Sequence, residues 1–229
     1  MEHDFLIKAK VVLQTEIDEL VRLKDRLGQE FVDAVETLRS GLEAGSKIIV
    51  IGIGKSENIA TKIAATLSST GAPSVVLSCQ NALHGDLGVV SPGDLVIALS
   101  YSGETMELLD ILPHLKRRPV TIIAFTGKKD SALAASSDIL LDIDVENEAC
   151  PLNLAPTSST TNMLALGDAL AMVLLQSRGF KAEDYAELHP GGSLGRKLLT
   201  RVTDIMRKGD QLALVKPVDT VATALESMK

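Results

Sequence analysis

Apolar residues recur at helical spacing through the first 44 positions. Phe5, Ala9, Val12, Leu13, Ile17, Leu20, Val21 and Leu27 form one set. After a break at Gly28, Phe31, Val32, Val35, Leu38 and Leu42 form another, ending at Gly45. This period predicts a helical hairpin over 1–45 that caps a sheet or joins subunits. From Lys47 the pattern changes. Ile48-Ile49-Val50-Ile51 is a short, wholly apolar, β-branched run, as in a strand buried on both faces. Similar runs lie at 74–77, 95–99, 120–125 and 139–143, with helical patterns at 58–69, 105–115 and 131–135 between them. The alternation predicts an α/β fold, a doubly wound five-stranded parallel sheet with right-handed crossovers. A long helix over about 158–176 is expected to pack across it.

Beyond Leu199 the texture shifts again. Val202-Thr203-Asp204-Ile205-Met206, Leu214-Val215, Thr220-Val221 and Ala224-Leu225 read as the opening of a further unit, one helix and one short strand. That is too little to bury a core of its own, so the chain is expected to break off inside a second domain.

Composition narrows the function. Of 229 residues, 23 are basic and 30 acidic, for a net charge of −7, and there is no tryptophan. A nucleic-acid surface calls for basic patches and stacking aromatics, so no nucleic-acid partner is expected. Lys116-Arg117-Arg118 reads as the solvated end of a helix. With no run of about 18 apolar residues and no basic-then-apolar leader, neither a membrane partner nor a secretory signal is expected, leaving the cytoplasm as the default. Cys79 and Cys150 are too few for a disulfide framework.

Candidate chemistry gathers at three strand-to-helix turns, the edge where open parallel sheets bind ligands. The first is Gly52-Ile53-Gly54-Lys55-Ser56. It is not a nucleotide P-loop, because Ile49 stands where the leading glycine belongs. Nor is it a dinucleotide fingerprint, because Glu57 holds the third glycine position. Alone, Gly54, Lys55 and Ser56 fit a tight turn as well as a binding loop. The second turn, Ser100-Tyr101-Ser102-Gly103-Glu104-Thr105, offers hydroxyls on Ser100, Ser102 and Thr105 around a glycine, an anion nest. The third, Thr157-Ser158-Ser159-Thr160-Thr161 after Pro156, has more hydroxyls than a helix cap needs. Together the three suggest a phosphate held by amides and hydroxyls, with Lys55 near.

The Ser-x-Ser-Gly-x-Thr element, the Gly-Lys-Ser turn and the Pro-Thr-Ser-Ser-Thr-Thr helix start resemble a flavodoxin-like sugar isomerase (SIS) domain, here over 46–200. More narrowly, His84-Gly85-Asp86-Leu87-Gly88, Glu148-Ala149-Cys150-Pro151-Leu152 and His189-Pro190-Gly191-Gly192-Ser193-Leu194-Gly195-Arg196 resemble the arabinose 5-phosphate isomerases. The segment 201–229 resembles the start of a CBS domain. The resemblance implies interconversion of D-ribulose 5-phosphate and D-arabinose 5-phosphate toward the lipopolysaccharide sugar Kdo, in a homotetramer with active sites at subunit contacts. Such chemistry needs a base for a carbon-bound proton, an acid for the carbonyl oxygen and stabilisation of the enediolate. Carboxylates, imidazole and ammonium can supply these with neither cofactor nor metal. The resemblance places Lys55, Glu107, Glu148 and His189 in catalytic positions. Glu148 is the better carboxylate for base work, and His189 suits ring opening or proton shuttling. Glu104 is expected to turn away from the nest, and His84 to contact substrate. His3 and His114 are expected in solvent, and Cys150 as an inert loop residue. Ser78 replaces a family histidine associated with zinc, leaving only an adventitious pairing of Cys79 with His84. Two rival readings stand beside the isomerase: an enzyme of this fold for another sugar phosphate, and a non-catalytic phosphosugar sensor.

Overall fold

The computed structural model describes residues 2–228, with the side chains of Glu2, His3, Ser193, Leu194 and Asp210 outside the description. The solvated His3 expected from sequence is therefore not covered, nor are the end positions 1 and 229. The described chain divides into two units, Met1–Lys181 and Ala182–Lys229.

In the first unit, two helices, α1 (Glu2–Asp25) and α2 (Gln29–Glu43), precede the sheet. There follow β1 (Ile48–Gly52), α3 (Lys55–Ser69), β2 (Ser74–Val76), α4 (Cys79–Ala82), a 3-10 turn (Asp86–Val89), β3 (Leu95–Leu99), α5 (Met106–Lys116), β4 (Thr121–Thr126), α6 (Ala132–Ser136), β5 (Ile139–Asp142) and α7 (Ser158–Ser177). All strand pairs are parallel, in the order β2-β1-β3-β4-β5. That is the doubly wound order whose switch point, the natural ligand crevice, lies between β1 and β3. Register pairs Gly52 with Leu99, so the turns leaving these two strands start side by side.

Successive strand residues point to opposite faces, and the core divides accordingly. Ile48, Val50, Leu95, Ile97, Leu99, Ile123 and Phe125 pack with α2, α3 and α7. Ile49, Ile51, Val96, Ala98, Ile122 and Ala124 pack with α4, α5 and α6. Helix α7 is long and apolar enough to cross a membrane by length and composition, but half of that stretch is buried among these core residues. This qualifies the sequence reading that no stretch has bilayer length.

The second unit holds α8 (Ala182–Leu188), α9 (Ser193–Leu199), α10 (Val202–Ile205), a 3-10 turn (Gly209–Gln211) and α11 (Val221–Ser227). The one short strand expected in this segment does not form among its described residues, and Leu214 and Val215 stand exposed. No neighbouring strand is present in this unit's described residues to pair with it, and a lone strand leaves its backbone groups unsatisfied.

Candidate active site

The turn after β1 is built by Gly54, whose φ of +60° starts α3 in a conformation that favours glycine. It leaves Lys55 exposed and Ser56 half-buried. Among the described residues the Lys55 ammonium makes no ion pair or side-chain hydrogen bond. It is a cation available to an incoming anion.

The turn after β3 is wired internally. The Ser100 hydroxyl, itself buried, accepts from the Gly103 amide at 3.1 Å and shares a 2.9 Å hydrogen bond with the Thr105 hydroxyl. Ser102 Oγ accepts from the Glu104 amide at 3.2 Å. Three of the expected ligand groups are thus turn-builders. The amides of Tyr101, Ser102, Thr105 and Met106 find no acceptor among the described residues, and it is these that remain for an anion. Gly103 has a φ of +68°, and a β-carbon there would lie 2.0 Å from Ser131 Oγ. Only glycine fits. Glu104 turns away from the nest, as its charge predicts, and accepts from the Ala132 amide at the start of α6 at 2.7 Å.

The third turn differs from a hydroxyl cradle. Glu148 reaches the amino end of α7, where its Oε2 accepts from the Thr157 amide at 2.7 Å, the Thr157 hydroxyl at 2.9 Å and the Ser159 amide at 3.2 Å. Burial pushes this carboxyl's pKa up, but the Ser159 and Thr157 donors outweigh burial and hold it below the usual glutamate range. Glu148 is therefore an ionised carboxylate with one oxygen committed, while Oε1 accepts no described hydrogen bond. Thr157 also orders the loop by accepting from the Ala149 amide at 2.8 Å, so it serves Glu148 and the loop. Ser158 is fully buried, and its hydroxyl has no described partner. One residue's rotation along the helix turns it inward while Ser159 reaches the cleft.

Two adjoining depressions join these turns. One, of about 210 Å³, is lined by Ile53, Lys55, Ser56, Tyr101, Pro156, Ser159, Thr160 and Met163. The other, of about 250 Å³, shares Tyr101, Pro156 and Ser159 and continues to Val145, Glu146, Glu148, Asn153 and Leu154. The turn after β1 and the amino end of α7 thus meet in these depressions, which the turn after β3 enters through Tyr101 while Ser100, Ser102, Gly103 and Thr105 line neither, with Lys55 at one end and Glu148 at the other. Tyr101 spans both and was not singled out from sequence, where only its place inside the serine motif marks it. Its hydroxyl donates to Asp144 Oδ1 at 3.2 Å, and burial, followed by the Asp144 charge, pushes the phenol up to about 12.

Glu107 is exposed on the first turn of α5 and lines neither depression. Its charge, with that of Glu57, is felt at Cys79. There burial first, and then these carboxylates, push the thiol up to about 11. Cys79 is fully buried and protonated while His84 is exposed, so the adventitious metal pair is not supported. His84 stands in the loop after α4, beyond the carboxyl end of the edge strand β2. Cys150 is half-buried, and the backbone amides of Ala155 and Leu154 hold its thiol below the ordinary value. Among the described residues no three His, Cys, Asp or Glu side chains gather to hold a metal ion. His114 is exposed, as expected.

In the second unit, His189 stacks on Tyr185 with ring centroids 3.8 Å apart. Its Nδ1 lies 2.8 Å from the Tyr185 carbonyl. A carbonyl only accepts, so Nδ1 carries the hydrogen of this bond and Nε2 is the ring nitrogen left for other partners.

Residues 42–173 match the SIS domain family, the class that this switch-point site and sheet order define. Arabinose 5-phosphate isomerase KdsD of Pseudomonas aeruginosa is 47% identical over 98% of this chain and 68% of its own length. Its Escherichia coli K12 counterpart is 48% identical over 97% of this chain and 67% of its own. The solved structure of an E. coli CFT073 protein in complex with arabinose 5-phosphate superposes with a TM-score of 0.79 at 39% identity, covering 83% of this chain and 100% of that one. The chain belongs to the SIS domain family and, within it, to the arabinose 5-phosphate isomerases.

Proposed function

We propose that the protein interconverts D-ribulose 5-phosphate and D-arabinose 5-phosphate through an enediol. The observation that carries this reading is the meeting of the turn after β1, the amino end of α7 and, through Tyr101, the turn after β3, with a free ammonium at one end and an ionised carboxylate at the other. The phosphate takes Lys55 and the unbonded amides of the turn after β3, an arrangement that needs no metal. The open chain then runs toward Glu148, whose Oε1 is the oxygen left to exchange a proton with C1 or C2. Its lowered pKa keeps it ionised at neutral pH, although it makes it a weaker base than a free glutamate. A phosphosugar sensor needs only the phosphate grip, so an ionised Glu148 with a free oxygen favours turnover. We also infer a homotetramer acting in the cytoplasm. The assembly is supported by the exposed apolar residues of α1, Phe5, Leu6, Ile7, Val11, Leu13, Ile17 and Val21.

The test is to incubate the protein with ribulose 5-phosphate in the presence of EDTA and follow arabinose 5-phosphate. Turnover is expected. Phosphosugar binding without turnover would leave the sensor standing, and turnover of only a heptose or hexulose phosphate would change the substrate. Glu148→Gln is expected to lose at least about a hundredfold in kcat while KM stays within a few-fold. An equal loss of affinity would remove Glu148 from proton transfer.

A further inference from the structure

Glu19 of α1 is a carboxylate only 3% exposed. Its Oε1 accepts from two consecutive backbone amides, Glu146 and Asn147, each at 3.0 Å and each more than a hundred residues away in sequence. Its Oε2 pairs with Arg22 Nη1 at 2.8 Å, and Arg22 Nη2 in turn holds Glu146 Oε1 at 3.0 Å. One turn further, Arg26 donates to the Asp144 carbonyl. Positions 19 and 22 share a face of α1 and Arg26 follows just past its end, so the carboxyl-terminal part of α1 and the turn after it grip the backbone from 144 to 147, immediately before Glu148.

Burying a charge costs several kcal/mol unless it is fully paired, and an apolar residue of similar size is often the more stable choice. Stability alone is therefore a poor account of a buried glutamate here. On its far side the same loop is fixed by Glu148 on the amino end of α7 and by the bond from Glu148 N to Asn153 Oδ1 at 2.8 Å. With α1 holding one side and α7 the other, the Glu148 carboxylate has one place to be.

We propose that Glu19 is a positioning residue for the isomerisation: its grip on the amides of Glu146 and Asn147 sets where the free oxygen of Glu148 meets the substrate carbon. The proposal rests on the part assigned above to Glu148. Glu19 makes no contact with the phosphate end of the cleft, so its loss shows in turnover and not in affinity.

The test compares Glu19→Ala and Glu19→Gln in the full chain, with Glu148→Gln as control. Glu19→Ala is expected to lower kcat by about tenfold or more, since a displacement of about 1 Å costs that and more, while KM changes by less than about threefold. Glu19→Gln keeps a carbonyl oxygen for both amides and is expected to restore kcat to within about threefold of wild type. If Glu19→Ala fails to fold, Arg22→Met carries the test, with kcat expected to fall by about three- to tenfold at constant KM. Unchanged kcat in the folded variant overturns the proposal, as does a rise in KM that matches the fall in kcat. An inactive Glu148→Gln beside a fully active Glu19→Ala sinks the role of Glu19 alone. A fully active Glu148→Gln sinks the role of Glu148, and this one with it.

Discussion

Hydroxyl-rich turns read in sequence as ligand cradles, and at the scale of single residues the structure divides their labour. Ser100, Thr105 and Thr157 shape backbone or hold Glu148, while the Lys55 ammonium and the amides of Tyr101, Ser102, Thr105 and Met106 find no partner among the described residues. Residue type announces that a turn is polar; which lone pair points where depends on torsions that spacing does not encode. Gly103 shows the opposite case, because its need was legible from the motif and is explained by a positive φ and by Ser131. Gly103→Ala is expected to destabilise the protein by about 2–4 kcal/mol, from strain together with the clash, and to raise KM for the phosphosugar. Urea unfolding and steady-state kinetics check both, and a variant with wild-type midpoint and KM would contradict the account of this turn.

Among the elements, five strands and the helices between them fall close to where apolar runs and period predict them, because strands buried on both faces leave a compact signature. Boundaries moved where polar chemistry governs. Helix α3 starts at Lys55, three residues before its apolar pattern, because Gly54 turns the chain at once. The short α4 was missed, being a single turn capped by the Ser78 hydroxyl. At the amino edge of the sheet, Asp94 binds strands β1 and β3 together. It accepts from the Lys47 ammonium at 2.6 Å, the Lys47 amide at 3.2 Å and the Ser91 amide at 2.7 Å. Burial pushes its pKa up, but the Lys47 hydrogen bond and the two amides overcome this and set it below the ordinary value. A carboxyl depressed in the folded state stabilises above its unfolded pKa, near 3.9, and that contribution is lost as pH falls through the folded value. Asp94→Asn is therefore expected to cost about 1–3 kcal/mol at pH 7 and progressively less in acid below about pH 4. Urea midpoints across that range decide it, and a deficit independent of pH would refute it.

For the molecule as a whole, the apolar stripe Leu6, Leu13, Ile17 and Val21 on α1 remains at least 45% exposed, more than a solitary soluble helix tolerates without a partner. Leu13→Asp combined with Ile17→Asp is expected to lower the assembly mass measured by light scattering; a monomeric wild-type protein would contradict the assembly. The linear chain by itself carried the class of fold, the buried strands and the three polar turns, since each rests on local composition and on the order in which elements follow one another, while Glu148 stood out only through the family resemblance of its motif. Folding alone decided that Glu148 caps α7, that Tyr101 bridges the two depressions, and that Glu19 reaches a loop more than a hundred residues away. Those depend on which groups burial brings within hydrogen-bond distance, and a one-dimensional pattern contains periods but no distances across the fold.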